Sequence, residues 1–225
     1  MDIGGLQKCS LIDYPGELSA IIFTRGCNFR CPYCYNSELV LPEKYSPLIP
    51  EEEIFSFLEK RRGKLDAVAI TGGEPCIQPD LPEFMRELKD MGYKVKLDTN
   101  GSCPGALEKV LPLVDYIAMD VKAPPEKYSY IAGADVNIDD IKKSIRLIIN
   151  SGKEHEFRTT VFRGCFRAGD FKKIGEMIEG ANKHYIQNFL PSGKVLSEGL
   201  ESCSDEELES FRDVLEGFAG ECGVR

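Results

Sequence analysis

The chain has 225 residues, 42% hydrophobic and 29% charged, with a net charge of −9. That size buries enough surface to hold a core without disulfides, and the composition excludes a disordered, collagen-like or disulfide-scaffold protein. Most of the negative charge lies between residues 196 and 225, so nothing marks a net basic face for a nucleic-acid partner.

The elements follow in chain order. A strand is expected at Leu18–Thr24, then a long connection over Arg25–Pro50. Glu51-Glu52-Glu53 opens a helix whose apolar face is Ile54, Phe55 and Leu58, and Lys60-Arg61-Arg62 closes it before Gly63. A second strand at Ala67–Thr71 precedes a helix capped by Asp80, with Phe84, Leu88 and Met91 inward and Gly92 as its stop. Strands at Lys94–Asp98 and Tyr116–Asp120 come next, then a second long connection over Val121–Asn137. Ile141, Ile145, Ile148 and Ile149 mark a helix ended by Gly152, before a strand at Glu156–Val161. Asp170 opens a helix containing Ile174, Met177 and Ile178, and the last strand is His184–Phe189. Ser204-x-x-Glu207 is a capping box ahead of Leu208, Phe211, Leu215 and Phe218.

Most of these strands are mixed or continuous apolar runs, the pattern of strands covered on both faces. Six strands, each followed by a helix, predict an α/β fold with a parallel sheet, here an open partial (βα)6 TIM-type barrel in a single domain over residues 1–225. The two long connections leave the C-terminal ends of the first and fourth strands, the face where barrel enzymes place their chemistry. No apolar run approaches the ~18 residues of a membrane span, and no basic-then-apolar leader opens the chain. The expected compartment is the cytoplasm, with no membrane partner.

Nine cysteines are too few for a disulfide scaffold, and the count is odd. Three of them, Cys27, Cys31 and Cys34, lie within eight residues at C-x3-C-x2-C spacing on the first long loop. Thiolates so placed can wrap three corners of an iron–sulfur cubane. Zinc is the alternative, but a structural zinc site wants four ligands, and His155 and His184 are far away in sequence. For a cluster, the missing ligand leaves one iron open to a small molecule. Cys9, Cys103, Cys165, Cys203 and Cys222 show no pair spacing and read as reduced, ordinary residues; Cys76 lies just past a Gly-Gly-Glu run.

C-x3-C-x2-C with an aromatic, Tyr33, before the last cysteine resembles the radical S-adenosylmethionine (SAM) superfamily. Other elements follow in that family's order: Thr71-Gly72-Gly73-Glu74-Pro75, Asp98-Thr99-Asn100-Gly101 and Asp120-Val121-Lys122. Ser10-Leu11-Ile12-Asp13-Tyr14-Pro15-Gly16, Arg158-Thr159-Thr160-Val161 and Gln187-Asn188-Phe189-Leu190-Pro191 are similar to segments of glycyl-radical-enzyme activating enzymes. The nearest resemblance is to the anaerobic ribonucleoside-triphosphate reductase activating group in its longer form, itself similar to pyruvate formate-lyase activase. Tyr35 departs from it, standing where such activases often carry His, and the chain lacks the Cys-rich insertion that other activases use for extra clusters.

The resemblance implies a 4Fe–4S cluster on Cys27, Cys31 and Cys34, with the amine and carboxylate of SAM on the fourth iron. Reductive cleavage then yields methionine and a 5′-deoxyadenosyl radical that takes Hα from a glycine of a partner enzyme. The cofactor carries this chemistry, and the protein positions it and excludes water. By the same resemblance Tyr33 stacks on adenine, while Gly72, Gly73 and Glu74 hold the methionyl ammonium. Lys122 and Arg158 neutralise the SAM carboxylate, and Thr99, Asn100 and Gln187 line the cofactor site. Asp98 and Asp120 are expected to hold a Na⁺ or K⁺ ion. The electron donor is expected to be flavodoxin or ferredoxin. Two other functions compete: a radical SAM enzyme acting on a small molecule, similar to 7-carboxy-7-deazaguanine synthase, and a non-enzymatic electron carrier, which has no use for SAM motifs.

Overall fold

The computed structural model describes residues 1–191 and 195–225. Its strands are β1 (Ile3–Ser10), β2 (Ser19–Thr24), β3 (Ala67–Gly72), β4 (Lys94–Thr99), β5 (Tyr116–Asp120), β6 (Glu154–Val161), β7 (Ala181–Asn188) and β8 (Ala219–Val224). Its α-helices are α1 (Ser37–Val40), α2 (Glu51–Glu59), α3 (Leu81–Asp90), α4 (Pro104–Val110), α5 (Tyr128–Ala132), α6 (Ile138–Asn150), α7 (Ala168–Ile178) and α8 (Asp205–Leu215). The described residues fall into two compact units. One comprises Met1–Asn28, Asn36–Thr99 and Gly105–Ile117; the other comprises Phe29–Tyr35, Asn100–Pro104 and Ala118–Arg225.

In the first unit the strands run in the order β1-β2-β3-β4. β1 is antiparallel to β2, whereas β2, β3 and β4 are parallel. Ala20–Ile22 and Ala67–Ile70 are wholly buried, as continuous apolar runs in a parallel sheet require. Leu81, Phe84, Met85 and Leu88 recur at helical spacing and make the buried face of α3. Phe84 meets Phe55 of α2 with ring centroids 4.9 Å apart. Gly92 ends α3 at φ +88°, a conformation that glycine adopts without a steric cost.

In the second unit β6, β7 and β8 are parallel neighbours. α7 and α8 pack through the stacked rings of Phe171 and Phe211, 4.5 Å apart. Ser204 caps α8 by the expected box: its Oγ accepts from Glu207 N, and the Glu207 carboxylate accepts from Ser204 N.

The fold is α/β, built on mostly parallel strands. All six expected strands are present within a few residues, and two more, β1 and β8, flank them in sequence. Two expectations need correction. Asp80 does not cap α3: its side chain makes no cap bond and takes the Met1 ammonium instead. Asp170 lies inside the first turn of α7 and accepts Arg167 N at 2.8 Å. The first long connection contains α1 and the second contains α5. Among the described residues no helix is long and apolar enough to cross a membrane.

Candidate active site

The first unit gathers the start of the cysteine loop and the Gly-Gly-Glu turn. β2 ends at Thr24 and leads into Arg25-Gly26-Cys27; β3 ends at Gly72 and leads into Gly73-Glu74. Gly73 N donates to Thr24 O and Glu74 N to Gly26 O, each at 2.8 Å. Gly72 has φ +109°, and a Cβ there would lie 2.6 Å from the backbone N and O of Thr24. At Gly73 a Cβ would lie 1.8 Å from Gly26 O. The space that both glycines leave is therefore filled by the backbone of the neighbouring strand end.

Glu74 is almost fully buried. Its Oε1 accepts from Cys76 N at 2.9 Å and from the Thr99 hydroxyl at 2.7 Å. The carboxylate thus caps the short turn Pro75–Ile77. Cys76, as its position suggests, is buried beside this group, with Sγ 3.5 Å from Thr99 Oγ1. At the end of β4, Asp98 accepts from the buried Lys96 ammonium.

The second unit gathers the rest of the loop. Cys34 N donates to Cys31 O at 3.0 Å, which closes a turn between two of the three thiols. Arg30 N donates to Ala132 O at 2.7 Å, so the last residue of α5 seats the loop. Gly133, at φ +61°, makes room, because a Cβ there would lie 2.2 Å from Arg30 O. Burial pushes the Cys31 thiol pKa up, and the Lys122 ammonium works against that rise.

Tyr33 is buried against Phe162, with ring centroids 6.0 Å apart, and the Lys122 Nζ lies 5.8 Å from its ring centroid. Its hydroxyl is buried with no hydrogen-bond partner among the described residues. An orphaned donor next to a thiol loop is what a bound polar ligand satisfies.

Asp120 ends β5 between two cations. Lys122 Nζ lies 2.8 Å from Oδ2, and Arg158 Nε lies 2.8 Å from Oδ1. Burial alone would raise the Asp120 carboxyl, but Arg158 and Lys122 overcome it and hold the group well below the usual carboxylate range. Burial likewise disfavours the Lys122 charge, yet Asp120 keeps its pKa well above the ordinary value. Arg158 NH1 also lies 4.0 Å from Glu156, which pairs with Arg225 at 3.3 Å. Asp120 thus lies between Lys122 and Arg158, and Glu156 lies between Arg158 and Arg225.

Tyr128, Thr159 and His184 hold this segment in place. Tyr128 OH donates to Asp120 O at 3.4 Å and accepts from Lys122 N at 3.3 Å. Thr159 donates to Val121 O at 2.8 Å and accepts from His184 Nε2 at 3.0 Å. That assignment follows because a threonine hydroxyl has one hydrogen to give. Burial drives the His184 pKa down to about 3. Of the remaining expected site residues, Asn100 accepts Ser102 N at 2.9 Å, and Gln187 Oε1 lies 3.5 Å from the Thr160 hydroxyl. Tyr35 stacks on Phe189 and exchanges two hydrogen bonds with the Leu190 backbone, at 2.8 and 3.1 Å.

The donor set fits an iron–sulfur cluster. None of the three loop cysteines is in a disulfide among the described residues; Cys31 is buried and Cys27 and Cys34 are partly so. Among the described residues no three His, Cys, Asp or Glu side chains gather as ligands of one metal ion. A cubane makes no such demand, because each thiolate binds a different iron.

Residues 21–168 match the family pattern of the radical SAM superfamily. A protein of Methanocaldococcus jannaschii named as a glycyl-radical enzyme activating enzyme is 36% identical over 84% of this chain and 80% of its own length. The 7-carboxy-7-deazaguanine synthase of Methanopyrus kandleri is 33% identical over 49% of this chain and 52% of its own. The solved structure of anSMEcpe with bound AdoMet matches 84% of this chain and 56% of that one, with a TM-score of 0.64 at 17% identity. That likeness is one of fold.

Proposed function

The chain belongs to the radical SAM superfamily, and from that premise we propose that it is an activating enzyme that installs a glycyl radical on a partner protein. The observation that carries this reading is the likeness to an activating enzyme along most of the chain, together with a three-cysteine loop that has no nearby fourth Cys or His in sequence. Cys27, Cys31 and Cys34 would hold a 4Fe–4S cluster. A reduced cluster with SAM bound there would supply a carbon radical, derived from SAM, that takes Hα from a glycine.

The chain's own residues bind and orient. Lys122 and Arg158, the two cations beside Asp120, would receive the SAM carboxylate. Tyr33, whose hydroxyl has no hydrogen-bond partner among the described residues, would pack on the adenosine, and its burial would keep water from that side. The Gly72-Gly73-Glu74 turn would lie along the methionyl ammonium, with Thr99, Asn100 and Gln187 around the nucleoside. A Na⁺ or K⁺ at Asp98 and Asp120 belongs to the same proposal, in competition with the Lys96, Lys122 and Arg158 partners that those carboxylates have. SAM affinity that changes when Na⁺ or K⁺ is replaced by a bulky organic cation supports that ion; indifference removes it. Anaerobic ribonucleotide reductase is the proposed partner, flavodoxin or ferredoxin the donor, and the cytoplasm the compartment.

The likeness to 7-carboxy-7-deazaguanine synthase supports a second reading, a radical SAM enzyme with a small-molecule substrate. One experiment separates them. Protein reconstituted anaerobically with iron and sulfide is reduced with SAM, alone and with a candidate glycyl radical enzyme, and followed by electron paramagnetic resonance. Cleavage of SAM to 5′-deoxyadenosine with a doublet radical on the partner supports the activase. Cleavage without a protein radical on any candidate favours the second reading. Stoichiometric zinc with no iron uptake removes both.

A further inference from the structure

We infer that the turn Gly72–Gln78 is a clasp that positions the entry of the cysteine loop, and that Gly73 and Gln78 are positioning residues for Cys27. Three successive carbonyls just ahead of Cys27 each accept a hydrogen bond from this one turn. Thr24 O accepts from Gly73 N at 2.8 Å, Arg25 O from Gln78 Nε2 at 2.9 Å, and Gly26 O from Glu74 N at 2.8 Å. The far end of the loop is tied as well. Gly26 N donates to Leu39 O at 2.7 Å, and the Asn36 side-chain amide donates to Gly72 O at 3.4 Å. A loop without regular secondary structure thereby gains fixed ends, which is how a ligand-bearing backbone is held to the tolerance that a metal group demands.

Gly73 is what lets the clasp close. A Cβ there would sit 1.8 Å from Gly26 O and 2.6 Å from Gly26 C, so the obstacle is backbone with no side-chain end to swing away. Any side chain at 73 must push Gly26 by an ångström or so, and Cys27 is the next residue. The requirement for glycine at this position thus comes from the protein's own backbone. Gln78 serves the same purpose from a distance. It also accepts Asp2 N at 3.0 Å through its Oε1, so its amide is oriented from both sides.

The effect on the cluster rests on the proposed role of Cys27, whereas the clasp itself rests only on these bonds, and the test has an arm for each. In protein without iron, hydrogen exchange is measured at the Gly26 and Glu74 amides in wild type and Gln78→Ala. Loss of one clasp bond should speed exchange there by about five- to tenfold, with the α6 amides unchanged. In reconstituted protein, iron content and alkylation of Cys27 are measured in wild type and Gly73→Ala. The variant should keep its far-ultraviolet circular dichroism, lose most of its iron, and expose the Cys27 thiol at least about tenfold faster than wild type. Normal exchange in Gln78→Ala, or a folded Gly73→Ala with full iron, overturns the proposal. If Gly73→Ala does not fold, the exchange arm decides alone. If wild type takes up no iron, the cluster reading fails while the exchange arm still tests the clasp.

Discussion

Arg158 Nε lies 2.8 Å from Asp120 Oδ1, and this contact joins the end of β5 to β6 at the point where the Asp120-Val121-Lys122 motif begins. Its consequence is a pH dependence. The folded-state pKa of Asp120 lies below its unfolded value, so the pair's stabilisation is present above the unfolded pKa near 4 and is lost as pH falls toward the folded value. Between those limits the unfolded chain binds the extra proton, and stability should rise with pH. Asp120→Asn should flatten that acid limb in urea unfolding curves. Arg158→Ala should cost about 2 kcal/mol at pH 7, because Lys122 remains as a partner.

His184 should act in a higher window. Its folded pKa of about 3 lies below the unfolded value near 6.5, so the native state resists protonation where the unfolded chain accepts it. Stability contributed by the neutral ring is lost as pH falls below 6.5, by roughly 2–3 kcal/mol at pH 4.5. His155 is also shifted down by burial and contributes in the same direction. The slope specific to His184 is the difference between wild type and His184→Gln, in which the amide can still donate to Thr159. An unchanged slope in the variant would assign the whole effect elsewhere.

Two glycines with positive φ should respond differently to alanine. A Cβ at Gly92 would meet nothing within 4 Å, so Gly92→Ala costs only the backbone strain, about 1–2 kcal/mol. Gly72 adds contacts of 2.6 Å with Thr24 N and O, and Gly72→Ala should cost about 3 kcal/mol or more. Equal urea midpoints for the two variants would show that the β2–β3 ends can spread apart.

Tyr35 stands directly after the third loop cysteine. Its hydroxyl both donates to Leu190 O and accepts from Leu190 N. Tyr35→Phe keeps the stack on Phe189 and removes both bonds. The expected result is a loss of about 1–2 kcal/mol in thermal unfolding and faster exchange of the Leu190 amide. Tyr35→His, which keeps a polar ring with shorter reach, should restore little of this stability.

Much of the molecule is legible in short stretches of sequence. Local chemistry decides where an element starts, and so the apolar runs of β2–β7, the Ser204 box and the stop at Gly92 are all readable from residues close together in the chain. The same holds for the cysteine loop, whose three cysteines lie within eight residues. β1 and β8 escape such a reading because each carries two glycines and no long apolar run, Ile3-Gly4-Gly5-Leu6-Gln7-Lys8-Cys9-Ser10 and Ala219-Gly220-Glu221-Cys222-Gly223-Val224. What makes them strands is a neighbouring edge, β2 for one and β7 for the other.

The site divides along the same line. Spacing along the chain points to Cys27, Cys31 and Cys34 as thiols suited to a cluster, and the family resemblance adds Gly73, Asp120 and Lys122. Spacing carries no information about what each one touches. Gln78 reaches Arg25 across 53 residues, and His184 meets Thr159 across 25. Tyr128 holds both ends of Asp120-Val121-Lys122 from a helix that the loop's composition does not announce. Neighbouring residues are enough to place β2–β7, most helix ends and the thiol loop, because apolar period, caps and cysteine spacing are local properties. Which carbonyl, carboxylate or ring each side chain answers to is chosen only when distant segments pack and every buried donor and acceptor must find a mate.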